Sequence, residues 1–214
     1  MNMNLLPFGE MSETIPALLI VPGELMAEDR ATQLVSALST QFYGFVLANA
    51  SIDSTRIADT VLTLSQSLEQ KKIKRIMFLG VGLGSLVSLA FAIRFPRMVR
   101  RIILLDGQSR LQPVGEKKFI QFLDELLPFG LPLRSSSKDF DARPALHRVR
   151  CPTLLLASPQ QDKFIRSEYE LLLSQIPNAW GKQLHSSSLV AGAISTEITT
   201  LAEQFLSVPT KKPQ

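Results

Sequence analysis

A three-layer α/β domain, with a mostly parallel sheet of about six strands between helices on both faces, is the fold this sequence predicts. Three observations carry that expectation. Short apolar runs alternate with stretches of helical period along the chain. The first of these runs, Ala17 to Val21, is apolar at every position, as a strand covered on both faces is. And Arg75-Ile-Met-Phe-Leu-Gly-Val-Gly-Leu-Gly-Ser85 drives one strand into a tight glycine turn that opens a helix. At 214 residues the chain is ample for one domain with a sizeable core and short for two. Residues 16–208 are read as that domain, 1–15 as an N-terminal segment, and 209–214 as a disordered tail rich in Pro and Lys.

The first strand stops at Pro22-Gly23, and a helix follows from Ala27 to Leu38. Tyr43 to Ala48 is the second strand. Ile57, Val61, Leu64 and Leu68 recur at helical spacing, which makes residues 55–70 an amphipathic helix. Ile76 to Leu79 is the third strand, and Leu83 to Phe95 a mostly apolar, buried helix that Pro96 cannot continue. Arg101 to Leu105 and Thr153 to Ala157 are the fourth and fifth strands, with Gln183 to Ser186 a weaker sixth. Glu168 to Ile176 is helical, and the closing helix sets Ile194, Ile198, Leu201 and Phe205 on one face. Gly107 to Arg150 separates two strands by far more than a crossover needs. It holds a helix over Glu116 to Leu127, then Pro128-Phe-Gly-Leu-Pro-Leu133 and a polar Ser135-Ser-Ser-Lys138.

Composition narrows the function classes. Hydrophobic residues make up 45% and charged residues 20%, ordinary for a soluble globular protein. No apolar run reaches the roughly 18 residues a membrane span needs, and Met1 to Pro16 lacks the basic start of a signal peptide. Cys151 is the only cysteine, which excludes an internal disulfide and suits a reducing cytoplasm. Two histidines and that cysteine leave little for a zinc site, and no cofactor is expected. The net charge of +4 is local in origin: residues 71–151 carry sixteen basic and six acidic side chains, residues 1–70 two and eight.

Three pieces of the chain resemble the α/β-hydrolase superfamily. Gly80-Val-Gly-Leu-Gly-Ser85, continuing through Ala92-Ile-Arg-Phe-Pro96 to Val99-Arg-Arg-Ile-Ile-Leu-Leu-Asp106, looks like that family's elbow, helix and next strand. Cys151 to Asp162 is similar to the strand that ends in the catalytic acid, and Ile176-Pro-Asn-Ala179 to the approach to the last strand. The resemblance implies a reduced cap at residues 107–150, and leading antiparallel strands that are missing or confined to residues 1–14. In such enzymes G-x-S-x-G holds a serine on a strained turn, a histidine takes its proton, and an acid orients the histidine. Carried over, Gly82 stands at the nucleophile position and Asp162 at the acid. The base should lie around Ser187 to Val190, where no histidine occurs; His185 falls a few residues early, inside the expected strand. Pro22-Gly23-Glu24 replaces the usual His-Gly of the oxyanion loop, and a carboxylate there would oppose the charge that the hole stabilises. Gly23, Glu24, Gly82, Leu83 and Asp162 would line a vestigial pocket for a small apolar ligand. The glycine-centred elbow is similar to that of the N-myc downstream-regulated (NDRG) family, regarded as non-enzymatic. The resemblance thus implies a pseudoenzyme: a binding, scaffold or regulatory protein.

Two other readings stay open. One is an active acyl esterase or thioesterase with a relocated nucleophile, for which Ser85 and His185 are the fallback residues. The other is a dinucleotide-binding protein, since Gly80-x-Gly82-x-x-Ser85 opens a helix and Asp106 ends the next strand. Two surfaces are candidates for a protein partner. The cap carries Phe119, Ile120, Phe122, Leu123, Leu126 and Phe129, more apolar residues than one helix face hides. Lys71, Lys72, Lys74 and Arg75, then Arg97, Arg100 and Arg101, then Arg148 and Arg150 precede three strands, and parallel strands would gather them at one edge of the sheet. An anionic membrane surface would also suit that edge; nucleic acid is not expected, because no aromatic residues interleave the charges.

Overall fold

The computed structural model describes residues 4–11, 16–23, 28–48, 56–112, 140–185 and 196–207. Among these residues seven strands form one sheet in the order β1-β3-β2-β4-β5-β6-β7. They are β1 (Leu5–Phe8), β2 (Ala17–Val21), β3 (Gly44–Leu47), β4 (Ile76–Val81), β5 (Val99–Leu105), β6 (Thr153–Ala157) and β7 (Ala179–Gln183). β1 pairs antiparallel with β3, and every other pairing is parallel. The helices are α1 (Glu28–Leu38), α2 (Ile57–Gln70), α3 (Gly84–Arg94), α4 (Lys163–Gln175) and α5 (Thr196–Ser207), with a 3-10 turn at Arg143–Arg148. The α/β expectation is borne out: a mostly parallel sheet lies between helices on both faces.

Residues alternate between two cores because successive strand side chains point to opposite faces. Leu19, Phe78, Ile102 and Leu155 face one way, packed with α2, α3 and α4 through residues such as Leu64, Phe91 and Leu172. Leu18, Ile20, Leu79, Ile103 and Leu156 face the other, under Leu34 and Leu38 of α1 and Ile198, Ala202 and Leu206 of α5. The predicted face of α2 is the buried one: Ile57, Val61, Leu64 and Leu68.

The expected sheet of about six strands holds, with seven among the described residues: Leu5–Phe8, inside residues 1–14, adds antiparallel to the edge of β3 with only Leu5 and Phe8 buried. Two element boundaries are corrected. The last strand is Ala179–Gln183, not 183–186; as an edge strand none of its residues is buried, so no apolar run marks it. α4 begins five residues before Glu168, started by Asp162, whose Oδ1 accepts from Ile165 N at 2.8 Å. Glu24, the cap residues Phe119, Ile120, Phe122, Leu123, Leu126 and Phe129, the 187–190 loop and the 209–214 tail lie outside the described residues.

Candidate functional site

Because β2 through β7 run parallel, their carboxyl ends share one edge, where ligands of open α/β sheets bind. β4 delivers Gly82 there at φ +51, and Gly82 N donates to Leu105 O at 2.9 Å. Among the described residues a Cβ built on Gly82 meets nothing within 4 Å. A Cβ on Gly84 would strike the carbonyl oxygen of Val21, and one on Gly23 that of Val81. Gly84 therefore exists to let α3 close on the sheet, while Gly82 sits in a left-handed bend that no described residue crowds. Leu83 follows as the residue before α3.

Ser85, one turn further, is fully buried. Its Oγ lies 2.5 Å from Gly82 O and 2.8 Å from Gln108 O, and accepts from Gln108 N at 2.8 Å. This hydroxyl is a tie between the elbow helix and the segment that leaves β5. As a fallback nucleophile Ser85 is corrected: no substrate reaches it. Cys151 lies at the opposite end of β6, and burial pushes its thiol up to about 12, which leaves no thiolate at neutral pH. His147 is exposed within the 3-10 turn.

His185 is not inside a strand. β7 ends at Gln183, so His185 stands in the loop after the last strand. Its backbone N donates to Glu197 Oε2 at 2.9 Å, and its Nδ1 lies 2.8 Å from Glu197 Oε1. An ionised carboxylate only accepts, so Nδ1 carries the proton and a neutral ring keeps its lone pair on Nε2. The ring is 82% exposed. The bonds from His185 hold the Glu197 carboxyl below its usual range. The acid that orients this histidine is therefore Glu197, the second residue of α5, and not Asp162, which is spent on capping α4.

A second polar cluster escaped the sequence reading. Asp106, one residue past β5, takes φ +48, a left-handed conformation costly for a residue with a Cβ. Its Oδ1 accepts from Ser158 N at 2.8 Å and from Gln161 Nε2 at 2.6 Å, and its Oδ2 accepts a very short bond from Ser158 Oγ. Behind it, Glu168 is 1% exposed; its Oε2 accepts from Ser109 N at 2.7 Å and Ser109 Oγ at 2.5 Å, and its Oε1 from Arg110 Nε at 3.1 Å. The Arg110 backbone pairs with that of Asp141 in an isolated antiparallel β-bridge, so the two stems of the insertion are joined and fastened to α4. The only sequence signal for Asp106 was an acid ending an apolar strand. A hollow of about 500 Å³ opens beside Gln161 on the outer side of α4, lined also by Lys163, Arg166, Ser167 and Glu170.

The basic residues gather only in part at the opposite edge. Lys71, Lys72, Lys74, Arg75, Arg97, Arg148 and Arg150 are exposed and Arg100 is half-buried. Arg101 is corrected: it is 7% exposed, with its guanidinium 5.2 Å from the centre of the Phe205 ring, and belongs to the packing of α5. Burial first, and the charge of Arg75 second, pull Arg100 below the ordinary guanidinium value. Among the described residues no cluster of three or more His, Cys, Asp or Glu could hold a metal, and no helix is long and apolar enough to cross a membrane.

No protein-family model matches the sequence, and no curated protein is recognisably similar to it. Solved structures are. An α/β-hydrolase enzyme from a deep-sea metagenome library of the Medee basin superposes with a TM-score of 0.75 at 16% identity, covering 99% of this chain and 96% of that one. The enol-lactonase of Burkholderia xenovorans gives 0.73 at 16% identity, covering 96% of each chain. A hydrolase of Pseudomonas aeruginosa gives 0.70 at 18% identity, covering 97% of this chain and 99% of that one. At such identities the likeness shows the fold. The expectation of an inert scaffold or pseudoenzyme is corrected: the similar structures carry the names of hydrolases and of an enol-lactonase, which favours the alternative of an active hydrolase.

Proposed function

We propose that this chain is an acyl hydrolase, cleaving ester or thioester bonds at the carboxyl edge of its sheet with a nucleophile that the elbow does not carry. The observation that supports this most is the His185–Glu197 pair: an imidazole oriented through Nδ1 by a carboxylate, with Nε2 turned to solvent, in the loop after the last strand. Proton transfer in acyl chemistry needs a base whose tautomer and direction are fixed, and this pair supplies both. The enzymatic names among similar structures point to the same reaction class.

The test is a panel of short-chain acyl esters and acyl thioesters, run with the full chain and with His185→Gln. Wild type should turn over at least one member, and His185→Gln should lower kcat about 100-fold or more, within the range that general-base catalysis contributes. Absence of turnover across the panel, or equal rates for the two proteins, would overturn the proposal.

A further inference from the structure

We infer that Ser158 is the nucleophile of this hydrolase, with Asp106 as the base that receives its proton. The inference rests on the acyl-hydrolase reading and names the reacting group that reading leaves open.

Strand register puts the residues together. Leu105 of β5 pairs with Leu156 of β6, and Asp106 N donates to Leu156 O at 2.9 Å, so Asp106 and Ser158 project from neighbouring strand tips. Two N–H donors fix one oxygen of the Asp106 carboxylate, and the other oxygen meets the Ser158 hydroxyl. Such a carboxylate is locked in place with its remaining oxygen aimed at one proton, the arrangement a nucleophile–base pair requires. The left-handed backbone at Asp106 fits that role, since strain of this kind persists where surrounding structure holds a functional group. Exposure separates this pair from its look-alike: Ser109 and Glu168 make the same contact but are fully buried, whereas Ser158 is only half-buried. On the other flank, Ala157 pairs with Gln183, and Leu184 N donates to Ala157 O at 2.8 Å. His185 is thus one residue beyond the β7 neighbour of Ser158.

The chemistry balances without a cofactor. Ser158 Oγ attacks the acyl carbonyl carbon as its proton passes to Asp106 Oδ2. The tetrahedral intermediate collapses, the bond to the leaving oxygen or sulfur breaks, and Asp106 returns the proton to that atom. Water then attacks the acyl-serine; the His185 imidazole takes the water's proton and gives it to Ser158 Oγ as the carboxylic acid departs.

The test is labelling of the full chain with a fluorophosphonate, read by intact mass and peptide mapping, beside ester turnover. The label should sit on Ser158. Ser158→Ala, which keeps the backbone bond to Asp106, should abolish labelling and lower turnover about 100-fold or more, and Asp106→Asn should slow labelling by a similar factor. His185→Gln should still label, releasing one equivalent of alcohol in a burst and then stalling. Label on another residue, or wild-type turnover in Ser158→Ala, would overturn this assignment and leave the hydrolase standing. A wild-type chain that neither labels nor hydrolyses any ester would overturn both. Should Asp106→Asn lose its folded circular dichroism, Ser158→Ala decides alone.

Discussion

Gly82→Ala should cost about 1 kcal/mol of stability, and the size of that number tests the geometry of the elbow. An L-residue forced into a left-handed backbone costs about 1–2 kcal/mol. A Cβ also restricts the unfolded chain, which offsets about 0.4–1 kcal/mol of the loss. No steric term is added, because no described residue lies within 4 Å of the new methyl group. The net loss of about 1 kcal/mol corresponds to a fall in Tm of roughly 2–4 °C for a chain of this size. Gly84→Ala is the contrast: its Cβ meets the Val21 carbonyl oxygen, the α3 backbone must move, and the expected loss is about 3 kcal/mol or more. Urea unfolding followed by far-ultraviolet circular dichroism measures both. Equal losses for the two variants would refute the argument, since they would mean that position 82 has no room for a side chain.

Three further outcomes follow from the polar contacts. Ser85→Ala removes the acceptor for the buried Gln108 N and should cost about 1–3 kcal/mol in urea unfolding while leaving fluorophosphonate labelling intact. Glu168→Ala leaves both buried Ser109 donors without their acceptor and takes the ion pair from half-buried Arg110, and should cost about 3–5 kcal/mol, read the same way. The Glu197 carboxyl is held low in the folded state, so its contribution is complete above the unfolded value and is lost as pH falls through the lower folded one. Below the ordinary glutamate value of 4.5, the Tm of wild type should therefore fall more steeply than that of Glu197→Gln in scans at successive pH values.

The layered fold was legible because its signals are apolar and repetitive. Leu18 to Val21, Ile76 to Leu79 and Leu154 to Leu156 are covered on both faces, so burial dictates residue type position by position. Edge strands carry no such constraint: in Ala179–Gln183 the side chains are exposed and only the backbone is paired, which is why the last strand was placed too late. That slip had a functional consequence, since it put His185 inside a strand and left it only a fallback residue. Position along the chain also fails to report pairing between distant residues. Asp162 had the spacing of the family acid, yet a capping bond to Ile165 N three residues on claimed it, while Glu197 met His185 across twelve residues of chain. Asp106 and Ser158 are 52 residues apart and meet only because β5 and β6 are neighbours.

Strand order explains why the chemistry should leave the elbow. β4, which leads into Gly82, is three places from β7 in the sheet, whereas β6, which leads into Ser158, is next to it. Strands lie about 4.8 Å apart, so Gly82 is roughly 14 Å from the β7 tip along the edge and Ser158 roughly 5 Å. Both oxygens of Glu197 grip His185 at the root of its loop, through the backbone N and through Nδ1, which opposes any swing of the imidazole back toward β4. A base held at that end of the edge serves a nucleophile on β6, and because the Asp106 carboxylate on β5 is already committed to Ser158 and Gln161, a serine on the elbow is left without a proton acceptor of its own. Gly82→Ser in a Ser158→Ala background should therefore fold with the modest penalty of Gly82→Ala and still fail to label with fluorophosphonate. Recovered labelling at position 82 would show that the base reaches across three strands, and the displacement argument would be lost.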